Sequence, residues 1–330
     1  MNDRGAARLE RWMEPVQDAP IHDLTGAKRQ PLPALSVIVV NYNAGPLLLD
    51  CVRSVLASDI AVEVCVSDNG STDDSLEHLC SHLGEDPRVR VTRNAGNLGF
   101  AGANNRVLGF ARAPFVLFLN PDCVVPPKVL GRMLSFMAAT PEAGLAGCTI
   151  RNPDGSEQIA SRRAIPDPWI GLVRLLCLEW LWPSLVKGKR LDRTDEPMPS
   201  GPVAVEALSG AFMLVRRAAL DRVGPLDEGY FLHCEDLDWF VRFARAGWQI
   251  YLIPDVHVVH HKGACSAGRP IWVEWHKHRG MIRFFRKFQY DAYPLPLSLM
   301  VIIGIWIRFG LVLLRVTLQR VRSGLAPGRQ

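Results

Sequence analysis

SVIVV (36–40), VEVCV (62–66), VRV (89–91) and FVLFL (115–119) are short apolar runs rich in β-branched and aromatic residues. Each has the length and composition of a buried strand. Between them, residues 46–57, 72–83 and 100–111 repeat apolar side chains with a 3.6-residue period. Strands alternating with amphipathic helices predict βαβ units, hence an α/β fold with a mainly parallel central sheet flanked by helices. Ligands of such sheets sit beyond the carboxyl ends of the strands. The residues found there are NYN (41–43), SDNGSTDD (67–74) and NPD (120–122), so three polar clusters are expected along one edge.

Outside this stretch the pattern loosens. Residues 150–204 are less regular, with an apolar helix expected within 169–185 and a flexible loop over 187–202. A strand is expected within 205–217, followed by a short helix. A helix with acids in its first turn is expected over 235–246, then a strand over 249–254 leading to VHVVHH (256–261). The 330 residues, 48% hydrophobic and 22% charged, suffice for a sizeable core and exclude a disordered, collagen-like or disulfide-scaffold chain. Eight cysteines without a C-x-x-C pair argue for reduced, cytoplasmic thiols and against a zinc ribbon. Residues 1–34 read as a polar, proline-punctuated arm without the apolar stretch of a signal peptide.

The net charge of +5 hides an asymmetry, because residues 262–330 hold 12 Lys and Arg against 2 acids. The same segment contains the apolar run 295–307. As a helix its 13 residues span about 20 Å, short of a hydrocarbon core of about 30 Å, and Arg308 interrupts any extension at roughly 2.5–3.5 kcal/mol. An amphipathic helix lying in the interface on the inner face of the cell membrane is therefore expected rather than a spanning one. Arg308, Arg315 and Arg322 recur every seven residues, with Arg283, Arg286 and Lys287 upstream, as anionic headgroups favour. Basic repeats interleaved with aromatics are missing, so no nucleic-acid partner is expected.

Several residue groups can carry chemistry. Asn120 and Asp122 flank a proline directly after a strand and offer hard oxygen ligands to Mg²⁺ or Mn²⁺, although N-P-D is also a common turn. Asp68 at a strand end can accept the imide N–H of uracil or thymine while Tyr42 on the neighbouring strand end stacks on the ring; the same Asp-Asn-Gly-Ser run serves equally as loop and cap. RNAGNLGFAGANN (93–105) is a glycine-spaced loop entering a helix. It follows the third strand, not the first, so it is no dinucleotide fingerprint, but small residues let a nucleotide or sugar approach the backbone. Glu235, Asp236 and Asp238 open a helix, where one can act as general base or all can serve the helix dipole. His260, near His257 and His261, can complete a metal site or simply lie at the surface.

The order of these pieces resembles a family 2 glycosyltransferase of the GT-A fold, in the style of bacterial rhamnosyltransferases and galactofuranosyltransferases. The match runs over residues 35–265: strand–NYN, strand–SDNGSTDD, NLGFAGANN, strand–FLNPD, SGAFMLVRR, LDEGYFLHCEDLDWFVRFARAGW and VVHHKGACS. The resemblance implies a nucleotide-binding half over 35–125, an acceptor and base half over 205–265, and a membrane-associating segment over 266–330. It implies that Tyr42 and Asp68 hold the nucleobase and that Asn97, Gly99 and Asn105 belong to the donor-side loop. Asn120 and Asp122 stand for the D-x-D motif, Asp122 and His260 ligate a divalent metal, and Asp236 is the base, with Glu235 and Asp238 as secondary candidates. Asn120 departs from the first Asp of D-x-D, and the Q-x-x-R-W motif of processive synthases is missing. The implied activity is inverting transfer of a sugar such as rhamnose from a dTDP or UDP donor to a glycan or polyprenyl-linked acceptor of cell-surface polysaccharide. A nucleotidyltransferase acting on sugar phosphates, or an inactive membrane-bound scaffold, are the alternatives. The first would need a glycine-rich basic loop where this chain has NYNAGP, and the second would lose acids that are present.

Overall fold

Strand β1 (Leu35–Asn41), helix α1 (Leu47–Leu56), β2 (Val62–Asp68), α2 (Ser75–Leu83), β3 (Val89–Arg93), α3 (Gly99–Leu108) and β4 (Phe115–Leu119) alternate as the periodicity predicts. The structure, a computed structural model, describes residues 32–175, 191–261, 263 and 269–322. The arm expected at 1–34 therefore lies almost wholly outside the described residues, as does 176–190; the helix expected within 169–185 is described as far as Leu175, and the loop expected over 187–202 is described from 191 and holds no helix or named strand there. The four strands pair in parallel in the order β3-β2-β1-β4.

The second half contains β5 (Cys123–Val124), α4 (Val129–Ala139), β6 (Ala143–Arg151), β7 (Arg162–Arg163), α5 (Pro168–Leu175), β8 (Val203–Ala204), β9 (Ala207–Leu208) and β10 (Phe212–Arg216). After these come α6 (Arg217–Val223), α7 (Glu235–Arg245), β11 (Gln249–His260), α8 (Pro270–Phe288) and α9 (Leu295–Arg322). Here the sheet is mixed: β10 is antiparallel to both β4 and β6, while β11 runs parallel to β6. The strand expected over 205–217 breaks into β9 and β10 around Ser209 and Gly210. The strand expected to end at 254 instead continues to His260, because an irregularity between Ile253 and His257 lets β11 keep its pairing with β6.

The alternation of side chains builds a core on each face of the sheet. Val37, Val39, Leu117, Leu119, Phe212 and Leu214 point to the face covered by α1, α2 and α4. Ile38, Val116, Phe118, Met213 and Val215 point to the other, where Trp239, Phe240 and Phe243 of α7 cover them. Phe118 and Trp239 meet edge to face with centroids 4.9 Å apart, so the strand that ends in N-P-D and the helix that begins with the acids are packed directly together.

A third, smaller cluster joins α8 to α9 through Ile282, Phe285, Val301 and Ile305. The apolar run expected to stop at residue 307 is part of one continuous 28-residue helix, and Leu295–Gln319 is long and apolar enough to cross a membrane. The length argument against spanning therefore does not hold. Arg308 does not break the helix because its guanidinium turns toward α8, where Nη1 donates to His278 Nε2 at 3.0 Å. His278 Nδ1 donates in turn to the Glu274 carbonyl at 2.7 Å, and burial together with Arg308 holds its pKa below the usual imidazole value. The heptad arginines thus do not act as one lipid-facing row.

Replacing Phe118 by Ala should cost about 3–5 kcal/mol, since a fully buried ring is lost between β4 and α7. Urea denaturation should show a lower midpoint at unchanged slope, and a midpoint within error of the wild type would refute the central place given to this contact.

Candidate active site

Sheet order alone brings NYN, SDNGSTDD and NPD together, because β1, β2 and β4 are parallel neighbours. Asn41 and Asp68 face each other at the ends of β1 and β2. Both are buried, and Asn41 Nδ2 donates to Asp68 Oδ1 at 2.8 Å while also facing the Ser71 and Ser75 hydroxyls at 3.0 and 2.8 Å. Asp68 Oδ2 accepts from the Ser71 N–H at 3.3 Å. The carboxylate is thus aimed by its neighbour before any ligand arrives. Tyr42 stands beside it, with Arg269 Nη1 reaching its hydroxyl at 3.5 Å.

The glycine-spaced loop is built from within. Asn69 Nδ2 donates to Asn97 Oδ1 at 2.9 Å, and Asn97 Oδ1 also accepts from the Gly99 N–H at 2.9 Å. Gly99 has φ +77°, and a Cβ there would lie 2.5 Å from the Phe231 carbonyl oxygen, so only glycine lets α3 approach the 231 segment. Asn105 is tied to that segment as well, donating to Leu226 O at 2.8 Å and Glu228 Oε1 at 2.9 Å. The side chains of Asn97 and Asn105 therefore hold the loop in shape.

Asp122 and His260 meet because β5 pairs antiparallel with the end of β11, which sets His260 opposite Cys123. The His261 N–H donates to the Asp122 carbonyl at 2.9 Å and locks the register. His260 Nε2 lies 3.0 Å from Asp122 Oδ1, and both side chains are less than 10% exposed. Asn120 Nδ2 lies 3.3 Å from the same nitrogen. On its other side the ring meets Gln158, with Nδ1 2.7 Å from Oε1. Asp122, Cys123 and His260 form a group close enough to hold a metal ion. Burial and the Asp122 charge keep the Cys123 thiol protonated, so the oxygen and imidazole donors, not the sulfur, suit a hard divalent ion. The residues fit such an ion: an imidazole nitrogen and a carboxylate oxygen, both buried and 3.0 Å apart, can turn two lone pairs toward one divalent cation when the nitrogen carries no hydrogen.

The acids of α7 reach the same edge. The Asn120 N–H donates to Ala211 O at 3.0 Å, and a Cβ on the adjacent Gly210 would lie 2.9 Å from Asp236 Oδ2. Arg163 on β7 pairs with that oxygen through Nη2 and donates through Nε to Leu208 O at 2.8 Å. The turn before α7 is strained, with His233 and Cys234 at φ 69° and 72°. Glu235 is buried with Oε2 unpaired, and burial plus the neighbouring Asp236 charge push its carboxyl up to about 8. Asp238 is wholly buried between Arg242 Nε and Lys287 Nζ, each 2.6 Å away, so it clasps α8 to α7. His257 pairs with Thr149 along β6 and is not part of the Asp122, Cys123 and His260 group.

Asn41, Gln158 and Arg163 were not singled out by the sequence reading. Asn41 sits inside the quoted NYN cluster, and a side-chain amide directly after a strand was its available signal. Gln158 and Arg163 belong to no motif, and only tertiary pairing identifies them.

Comparison with known proteins agrees with this geometry. The family model described as glycosyl transferase family 2 matches residues 36–224. An N-acetylglucosaminyl-diphospho-decaprenol L-rhamnosyltransferase of Mycobacterium tuberculosis is 34% identical over 250 residues, covering 71% of this chain and 78% of that protein. The rhamnosyltransferase WbbL of Escherichia coli K12 is 25% identical over 236 residues, 68% of this chain and 82% of its own. A mannosyltransferase of Pyrobaculum calidifontis, solved with GDP-Man and Mn²⁺, superposes with a TM-score of 0.55 at 17% identity, covering 99% of this chain and 83% of that one, and so shares the fold. With the family model spanning more than half of the chain and the motifs gathered on one sheet edge, the chain belongs to the family 2 glycosyltransferases.

Proposed function

We propose that the chain transfers rhamnose, from a dTDP- or UDP-linked donor, to a lipid-linked glycan acceptor at the membrane surface by a metal-assisted inverting displacement. The observation that carries this reading is the meeting of the Asp122–His260 pair and Asp236 on one edge of the sheet, in a chain that shares 34% identity with a rhamnosyltransferase named for a decaprenol-linked acceptor. Tyr42 and Asp68 receive the base, and the backbone of the 97–99 loop lets the donor approach closely. Asp122 and His260 would hold a Mg²⁺ or Mn²⁺ ion, with Asn120 beside them; when bound, such an ion neutralises charge on the departing diphosphate.

Asp236 takes the proton of the acceptor hydroxyl as that oxygen attacks the anomeric carbon and the bond to the diphosphate breaks. Glu235 is unsuited to this task because a carboxyl that keeps its proton to about 8 is no acceptor at neutral pH. Asp238, held in two ion pairs, is structural. Arg163 fixes where the Asp236 carboxylate stands.

The acceptor reading draws on α9. Leu299, Ile303, Trp306, Ile307, Leu311 and Leu314 form an exposed apolar stripe along one side. The opposite side packs on α8, whose Arg279 and Arg286 are exposed, whereas its Arg283 and Lys287 are engaged by Asp227 and Asp238. A helix flanked by so charged a neighbour sits most favourably in the interface, its stripe among the acyl chains and the cations at anionic headgroups. Trp275 and Trp306, with centroids 5.4 Å apart, suit the same depth.

A panel of nucleotide sugars, offered with Mn²⁺ and a polyprenyl-diphosphate glycan, should give nucleoside diphosphate release and glycolipid product with a rhamnose donor. Release with no donor in the panel would refute the proposal. Asp236→Asn should retain donor binding while transfer falls about 10²–10⁴-fold, and near-normal turnover would remove Asp236 as the base. Glu235 binds its proton more tightly in the folded chain, so stability should decline as pH rises from about 4.5 and level off above about 8. Thermal melts of Glu235→Gln should lack that decline; an identical decline in variant and wild type would contradict the raised carboxyl. Ile303→Glu with Ile307→Glu should release the protein from anionic vesicles in co-sedimentation, and undiminished binding would show that the stripe faces something other than lipid.

A further inference from the structure

Gln158 lies in the irregular stretch after β6, is 4% exposed, and its side chain hydrogen-bonds to Asn152 and His260. Its amide orientation is determined by its partners. The Nε2 group donates to the Asn152 Oδ1 at 2.9 Å and to the backbone carbonyl of His260 at 3.2 Å. A backbone carbonyl can only accept, so the atom facing it is the NH₂ group, and the atom facing the imidazole is Oε1. Gln158 Oε1 in turn can only accept. The ring nitrogen 2.7 Å from it, Nδ1, therefore carries a hydrogen, and in the neutral ring Nε2 presents its lone pair toward Asp122 and Asn120. Asn120 agrees with this assignment, because its Nδ2 is the atom that approaches Nε2.

We infer that Gln158 is the positioning residue that fixes the Nδ1–H tautomer and the ring orientation of His260, so that Nε2 is the atom offered to a divalent cation. The inference rests on the reading of Asp122 and His260 as metal ligands. Ligating histidines gain basicity and a fixed ring plane when their second nitrogen donates to a held acceptor, and removal of that acceptor costs 10–100-fold in metal affinity. The hold on Gln158 is itself firm: its N–H donates to Ile150 O at 2.9 Å, and Asn152 is braced by Ser156 Oγ at 3.0 Å. The acceptor is thus anchored on the end of β6, beside the strand that delivers His260.

The test compares Gln158→Met, which keeps the shape and loses the acceptor, with Gln158→Glu, which keeps an oxygen opposite Nδ1. Mn²⁺ titration of the full chain, followed by electron paramagnetic resonance without nucleotide, should show affinity about 10–100-fold weaker in Gln158→Met and within a few-fold of wild type in Gln158→Glu. Long-range ¹H–¹⁵N spectra of the metal-free protein, with His260 assigned by its loss in His260→Ala, should show the Nδ1–H pattern in wild type and Gln158→Glu. In Gln158→Met a share of Nε2–H should appear. Unchanged Mn²⁺ affinity and an unchanged tautomer in Gln158→Met would overturn the inference. If Gln158→Met does not fold, an Nε2–H pattern in wild type or in Gln158→Glu overturns it and the Nδ1–H pattern in both upholds it. If His260→Ala binds Mn²⁺ as tightly as wild type, the metal reading fails, and the tautomer spectra still report separately on what Gln158 does.

Discussion

The antiparallel pairing of Phe212 with Leu119 is the contact on which the site depends. A β-strand after β4 running parallel to it would carry its start to the far end of the sheet. Because β10 runs the other way, its first residues stand beside the last residues of β4, and Asn120 bonds directly to Ala211. Gly210, next in line, leaves room for the Asp236 carboxylate. The parallel strands β1 to β4 and the acids of α7 thus share an edge through one strand reversal.

That edge gathers buried polar side chains, and most of them are held by a polar neighbour. Asn41 serves Asp68, Asn69 serves the 97–99 loop, Arg163 serves Asp236 and Gln158 serves His260. In every case the residue that would meet a ligand is oriented by one that would not. Glu235 is different: it has a buried, unpartnered oxygen and responds by retaining its proton. Desolvation and a like charge act in the same direction there, and neutrality is the cheaper state.

How much of this was legible in sequence follows from how local each determinant is. The first four strands and their helices declare themselves because periodicity within ten residues decides them. The acids of α7 and the N-P-D turn were equally visible, since a strand end or a helix start is a local signal. The direction of β10 was not, because direction is decided by which strand it meets. Nor was the extension of β11 to His260, which depends on pairing with β5 and β6. Asp238 is the third acid of a helix start; its pairing with Arg242 four residues on is a local signal, and the approach of Lys287 from a helix some fifty residues later completes its assignment to structure. Gln158 and Arg163 are ordinary residues in an irregular stretch, and their partners lie 102 and 73 positions away.

Arg308 was misread for a similar reason. Counted along the chain, it is a charge inside an apolar run; placed against α8, it is a hydrogen-bond donor to a neutral histidine. The same α8 carries consequences for the site. Gly280 abuts the strained turn at His233 and Cys234, where a Cβ would lie 2.8 Å from the His233 carbonyl oxygen. Trp272 and His276 pack on Phe231, whose carbonyl accepts the Phe100 N–H at the start of α3. Lys287 joins Asp227 to Asp238, and Arg269 reaches Tyr42. One face of α8 therefore touches the strained turn before α7 and the 231 segment that meets α3, while another face carries α9 with its apolar stripe. A close-packed interior does not let such contacts shift one at a time, so the apolar stripe of α9 and the residues of the candidate site share a common frame.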